Sequence, residues 1–394
     1  MKHPKCKLCL ADVQIDTTLT NTALGRMYGI DAKSAGRHRK HIDNDNSRDN
    51  PDPFFDVPTS AITSRGKTTR MPDGSYEKIT YAPAATVGAP AWPVIDRPAP
   101  LPVKRASGAL LRKWKVAVAG ADSQIGFRNV NDALDPFHDD KALALFTKIV
   151  ELEKPNRVVL AGDIIDLAEQ GRWTQEAGFA LTTQAAFDRT YRWLYDLREA
   201  ANGSKIDLIE GNHDKRMQNF VEINAKSAFG LKRAGWPDEW PVMSIPYLLR
   251  LDELRVTYYD AYPNAHVWIN NNLRAEHGTK VNSNGSTAQR YLNETPHVSR
   301  LFGHTHRQEV VQRTTWDRMG KIRSQAINPG CLCRVDGAVP GVHSSIGADG
   351  KPATHYEDWQ QGAAVIRYTD DEFFVELVQF DDGKTLYQGQ ELSV

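Results

Sequence analysis

The stretch Arg157-Val-Val-Leu-Ala-Gly-Asp-Ile-Ile-Asp166 limits what this chain can become more than any other. Four apolar residues run straight into Gly162-Asp163, the pattern of a buried strand that stops at an acidic turn. Four further segments repeat it: Val116-Ala-Val-Ala-Gly-Ala-Asp-Ser-Gln124, Ile206-Asp-Leu-Ile-Glu-Gly-Asn-His-Asp214, Leu273-Arg-Ala-Glu-His-Gly278 and Val298-Ser-Arg-Leu-Phe-Gly-His-Thr-His306. Each is an apolar run ending in metal-ligand residues. In open α/β sheets ligands collect outside the carboxyl ends of strands, so the pattern predicts five strand ends converging on one point.

At 394 residues the chain is long enough for two domains, one with a substantial core. Lys plus Arg and Asp plus Glu number 49 each, so global charge implies no polyanion partner, although a local patch is still able to bind one. The opening Met1-Lys-His-Pro-Lys lacks the apolar core of a signal peptide, and no apolar run approaches the ~20 residues that span a bilayer. Four cysteines fall in two tight pairs, Cys6/Cys9 and Cys331/Cys333, which fits a reducing compartment rather than a disulfide framework. The expected location is cytoplasmic, the host's cytoplasm if the chain is phage-encoded, with no membrane partner.

Residues 1–43 read as a small basic α-helical module. Leu19–Tyr28 fits a helix, Gly29 a turn, and Asp31–His41 a second helix capped by Asp31, a helix-turn-helix-like arrangement. Lys33, Arg37, Arg39 and Lys40 give the second helix four cations suited to DNA phosphates; the alternative is a solvated basic helix. Cys6-x-x-Cys9 and His38-x-x-His41 offer a structural Zn²⁺ set that would stabilise so small a module, against free thiols and groove-facing histidines. Residues 44–110 read as a Pro-rich linker carrying one hairpin at 62–81 around Met71-Pro-Asp-Gly74.

From 111 to 394 strands alternate with helices. Asp139–Leu152 and Phe187–Ala201 carry helical apolar stripes, and β-rich segments follow from Leu254 to Phe380. Two sheets packed face to face with helices outside accommodate this order. Phe137-His138-Asp139 reads as a helix entry with Asp139 as cap, Cys331 and Cys333 as buried thiols, and Trp236–Tyr247 as local core within an insertion.

The ordered motifs Asp122-x-Gln124, Gly162-Asp163-x-x-Asp166, Gly211-Asn212-His213-Asp214, His277-Gly278 and Gly303-His304-x-His306, followed by Asn328-Pro329-Gly330, resemble the calcineurin-like metallophosphoesterases, including Mre11/SbcD-type nucleases and phage members, over residues 110–380. The resemblance implies a four-layer αββα sandwich of two mixed sheets flanked by helices. It implies two divalent metal ions sharing Asp163, one also held by Asp122, Gln124 and His306, the other by Asn212, His277 and His304. His213 would act as acid or transition-state stabiliser, oriented by Asp166, with Asp214 a further supporting carboxylate. A homodimer and an ATPase partner follow from the resemblance alone.

Oxygen and nitrogen donors without thiolate favour Mn²⁺, with Fe, Zn²⁺ or Mg²⁺ as alternatives. Gln124 departs from the family's usual His; its carbonyl oxygen is a poorer ligand than imidazole for Zn²⁺ but acceptable for Mn²⁺ or Mg²⁺. The expected activity is DNA cleavage by a phosphodiesterase, a basic module tethered to the hydrolytic site raising the local DNA concentration. The alternatives are a phosphomonoesterase or small-molecule phosphodiesterase and, from another class, a DNA-binding regulator with a degenerate phosphoesterase domain. Leu167 and Asp214 stand where serine/threonine phosphatases of this family carry Arg and Glu, which disfavours that subfamily.

Overall fold

The computed structural model describes residues 20–28, 65–70, 76–81, 114–131, 133–171, 177–282, 285–318, 320–340, 345–346, 352–353 and 357–394. The chain divides into two compact units, Met1–Val94 and Ile95–Val394. In the first, Thr20 Oγ1 accepts from Ala23 N at the start of helix α1 (Asn21–Tyr28). Strands β1 (Arg65–Arg70) and β2 (Tyr76–Tyr81) pair antiparallel, Arg70 opposite Tyr76, and Met71–Gly74 lie outside the described residues. Cys6, Cys9, Lys33, Arg37, His38, Arg39, Lys40 and His41 lie outside the described residues, and so do the second basic helix and the zinc set they would form.

The second unit is built on two mixed sheets. Sheet I has the order β17 (Phe373–Gln379), β16 (Gly362–Tyr368), β3 (Lys115–Gly120), β6 (Arg157–Leu160), β7 (Lys205–Ile209), β8 (Val256–Tyr259). Sheet II has the order β12 (Gln308–Asp317), β13 (Gly320–Pro329), β11 (Ser299–Leu301), β10 (Leu273–Glu276), β9 (His266–Trp268). Two-stranded pairs complete the set: β4 (Phe127–Val130) with β5 (Ala133–Pro136), β14 (Ser345–Ile346) with β15 (Pro352–Ala353), and β18 (Lys384–Tyr387) with β19 (Gln390–Ser393).

Side-chain alternation along each strand decides which layer it faces. Val118, Val158, Leu160, Ile206 and Leu208 turn outward to helices α2 (Asp140–Glu153), α3 (Thr183–Ala200) and α4 (Arg216–Asn224). Ala117, Ala119, Val159 and Ile209 turn inward and meet Val267, Leu273, Ala275, Leu301 and Ile327 of sheet II. The short helix α5 (Ile245–Leu248) closes the insertion, and α6 (Thr287–Glu294) covers the outer face of sheet II through Ala288, Tyr291 and Leu292. The order is helix, sheet, sheet, helix, the four layers expected. Asp139 caps α2 by accepting from Lys141 N and Ala142 N, and the helix buries Leu143, Phe146, Ile149 and Val150; truncating Phe146 to Ala would cost about 3–5 kcal/mol.

The insertion departs from expectation. Trp236 is 55% and Trp240 39% exposed, so the aromatic cluster is largely surface rather than local core. Aromatic residue type alone does not guarantee burial, because much of any protein surface is apolar. Among the described residues no helix is long and apolar enough to cross a membrane.

Candidate metal centre

Strands β3, β6 and β7 are parallel and in register, Gly120 opposite Leu160 and Leu160 opposite Leu208, so their carboxyl ends finish side by side. The turns that follow carry Asp122 and Gln124, Asp163, and Asn212. In sheet II β10, β11 and β13 are also mutually parallel, and the turns after β10 and β11 carry His277, His304 and His306. Asn328 at the end of β13 fixes the histidine loop: its Nδ2 donates to Gly303 O and Thr305 Oγ1, and its Oδ1 accepts from Gly330 N.

All seven residues expected to bind metal come together around Asp163. Asp163 Oδ2 lies 3.2 Å from His277 Nε2 and 3.3 Å from Gln124 Nε2. His277 Nε2 is 3.0 Å from Asn212 Oδ1. On the other side Gln124 Nε2 is 3.5 Å from His306 Nε2, which is 3.4 Å from Asp122 Oδ1. His304 stacks edge-on against His277 at 5.1 Å, and one nitrogen of each lies within 4.8 Å of an Asp163 oxygen and of one another.

The backbone is bent to make this possible. Asp122 (φ 53°), Gln124 (46°), Asp163 (52°), His304 (71°) and His306 (57°) all sit in the left-handed region, unusual for side-chain-bearing residues. Such strain clusters where function over-determines the conformation. Two glycines allow the carboxylates to approach: a Cβ on Gly211 would lie 2.1 Å from Asp163 Oδ1, and one on Gly303 2.7 Å from Asp122 Oδ2. Asp214, only a secondary candidate in the sequence, ties two turns together by accepting from the N–H groups of Asp163, Ile164, Ile165 and Gly211.

The donor set fits cations. His277 Nδ1–H donates to Ala161 O at 2.8 Å, which leaves the Nε2 lone pair facing the oxygens of Asp163 and Asn212. Three electron-rich atoms facing one another need a proton or a metal between them. With no metal a proton fills the gap: burial pushes the His277 imidazole down, but Asp163 more than offsets it and raises the pKa to about 9. Burial pushes the Asp163 carboxyl up, and His277 and His213 outweigh that to hold it well below the usual range. Burial, then His277, lowers His304 to about 4. Gln124 points its amide nitrogen at Asp163 and His306 and leaves Oε1 buried without a partner; a half-turn of the amide would aim that oxygen at a cation.

His213 and Asp166 adjoin this cluster. His213 Nδ1 is 3.2 Å from Asp166 Oδ2, and its Nε2 is 3.8 Å from Asp163 Oδ2. Arg216, not singled out in the sequence, pairs with Asp166 and sets its Nη2 3.3 Å from His213 Nε2. Lys215-Arg216 directly after the third motif was the available signal. Arg216 lines a groove of about 810 Å³ with Asn212, Lys215, Phe220, Tyr262 and His304, and Glu169 and Glu222 also border it. Arg128 and His138 are both buried, Arg128 over the rings of Phe137 and Phe179, so the structural reading of Phe137-His138-Asp139 holds.

No protein-family model matches the chain. A curated relative, the Gene 54 protein of Mycobacterium phage D29, is 25% identical over 189 residues, 47% of this chain and 70% of its own length. Among solved structures, Vacuolar Protein Sorting 29 from Cryptosporidium parvum is 14% identical with a TM-score of 0.33, over 71% of this chain and 99% of its own. The Pseudomonas putida nuclease MPE is 14% identical with a TM-score of 0.25, over 64% and 83%. These likenesses are distant, and the site is defined by its own geometry.

Proposed function

We propose that this chain is a phosphoesterase that works with two divalent cations, and that its substrate is a phosphodiester, DNA first among them. The observation that carries the reading is the confrontation of Asp163 Oδ2, Asn212 Oδ1 and His277 Nε2, with the other ring nitrogen of His277 already committed to Ala161 O. Asp163 would be the carboxylate both cations share, with Asp122, Gln124 and His306 available to hold one and Asn212, His277 and His304 the other. Two bound divalent cations supply Lewis acidity toward phosphoryl oxygens and acidify water.

The remaining steps belong to side chains. His213 turns Nδ1 toward Asp166 and so directs Nε2 to the centre, the atom from which a proton would pass to the leaving oxygen. Arg216, held by Asp166, presents guanidinium donors beside that nitrogen and suits a phosphoryl oxygen. A groove lined by Lys215, Arg216 and the ring of Phe220 suits a phosphodiester chain better than a closed phosphate pocket would. The basic segment with Lys33, Arg37, Arg39 and Lys40 fits the same substrate.

The test is hydrolysis of bis-p-nitrophenyl phosphate against p-nitrophenyl phosphate with added Mn²⁺, followed by plasmid nicking. Preference for the diester and nicked plasmid are expected. Preference for the monoester would move the assignment to phosphomonoesterase, and silence toward both would favour a binding protein. Nicking unchanged by Ala at Lys33, Arg37, Arg39 and Lys40 would remove the basic segment from the mechanism.

A further inference from the structure

Beyond His306, on the side away from Asp122, lie two thiols that the hydrolytic reading does not use. Cys331 and Cys333 flank Leu332, and both pack into the same small apolar cluster while Leu332 packs into the helix-side core. Both cysteines are free and fully buried, and His306 is 6% exposed. His306 Nδ1 lies 3.7 Å from Cys333 Sγ, and a nitrogen of His306 and both sulfurs lie within 4.8 Å of one another. Trp359 packs edge-on at 4.1 Å and fixes the plane of the imidazole. Cysteines that serve only as small apolar residues need no ring nitrogen beside them. Tetrahedral zinc ligation at ordinary Zn–S and Zn–N lengths sets ligand atoms roughly 3.5–3.8 Å apart, and the 3.7 Å between His306 Nδ1 and Cys333 Sγ falls in that range.

We propose that Cys331, Cys333 and His306 Nδ1 form a third cation site, for a thiophilic ion such as Zn²⁺, joined to the hydrolytic centre through the His306 ring. Two thiolates and an imidazole select a soft ion, whereas the oxygen-rich set around Asp163 suits a hard one, so the sites differ in the metal they take. Loading releases the two thiol protons to solvent, and Nδ1 gives up a proton as well when Nε2 is engaged by the hydrolytic centre. Only the coupling between the sites rests on the proposed function; the cysteine site stands apart from it.

The experiment uses the full chain with Cys6→Ser and Cys9→Ser, so that the only thiols are Cys331 and Cys333. After chelation, Cd²⁺ is titrated in and the sulfur-to-metal absorption band is followed in the ultraviolet. The expected result is a band that saturates at one equivalent, persists in Asp163→Asn, and is lost in Cys333→Ser or Cys333→Ala. Persistence in Asp163→Asn separates this site from the hydrolytic one. No band at saturating Cd²⁺, or a band unchanged by the Cys333 variants, overturns the proposal. X-ray absorption at the zinc edge provides a check that removes neither Cys331 nor Cys333: two sulfur scatterers support the site, and only nitrogen and oxygen scatterers overturn it.

Discussion

Sheet I and sheet II bring different chemistry to the same edge. Sheet I delivers oxygen donors, Asp122, Gln124, Asp163 and Asn212, while sheet II delivers nitrogen donors, His277, His304 and His306. They are also held differently. The turns of sheet I are tied by one carboxylate, Asp214, that gathers four backbone N–H groups. In sheet II one imidazole is aimed from across the interface, His277 by Ala161 O of the opposite layer, and another lies against the thiol of Cys333. The oxygen half is therefore set within one sheet, by Asp214 joining two of its turns, and the nitrogen half depends on the two sheets docking correctly.

The largest expected effect comes from breaking what the halves share. Asp163→Asn should lower phosphodiester hydrolysis by ~10³ or more, since the lost metal contribution is several kcal/mol; Mn²⁺ titration followed by kinetics checks it, and wild-type turnover would sink the bridging role. Asp214→Ala strikes the oxygen half alone. Leaving four N–H groups without their acceptor should cost about 3–5 kcal/mol, read as a lower urea midpoint. An unchanged midpoint would mean that these turns hold themselves.

The nitrogen half is probed by pH. His277 has a folded-state pKa raised to about 9, so its contribution to metal-free stability is complete below about 6.5 and fades as pH climbs through 9. Chelated protein should lose a few kcal/mol over that window, and Mn²⁺-loaded protein should not. Parallel pH curves for both forms would rule out His277 as a ligand. Arg216→Ala should reduce diester turnover by ~10–100-fold with little change in Mn²⁺ affinity; a variant with unaltered kinetics would relegate Arg216 to packing. The mildest change sharpens the contrast: Gln124→His places nitrogen in the oxygen half and should tighten Mn²⁺ binding by ~10-fold. Equal affinities by calorimetry would argue that Gln124 does not coordinate.

The candidate positions were legible because each follows an apolar run, and parallel strands in register must end together. That rule predicts the convergence of Asp122, Asp163, Asn212, His277 and His304, while their division between two cations comes from the resemblance of the ordered motifs. Arg216 was missed because its role comes from α4 turning back over Asp166, a packing event that spacing does not encode. The contact between Cys333 and His306 joins two turns 27 residues apart, so the cysteine pair looked like inert filling. Trp236 and Trp240 misled for the opposite reason: their residue type suggested burial, and tertiary context left them outside.

Dividing the donors between two layers has a consequence for how the molecule comes apart. An ion gripped from both sides works as a rivet, and any breathing that parts the Ala117–Ala119 face from the Leu273–Ala275 face must eject it. Loss of bound metal should then precede loss of helical signal on heating, and free ion concentration should govern how long the sandwich survives.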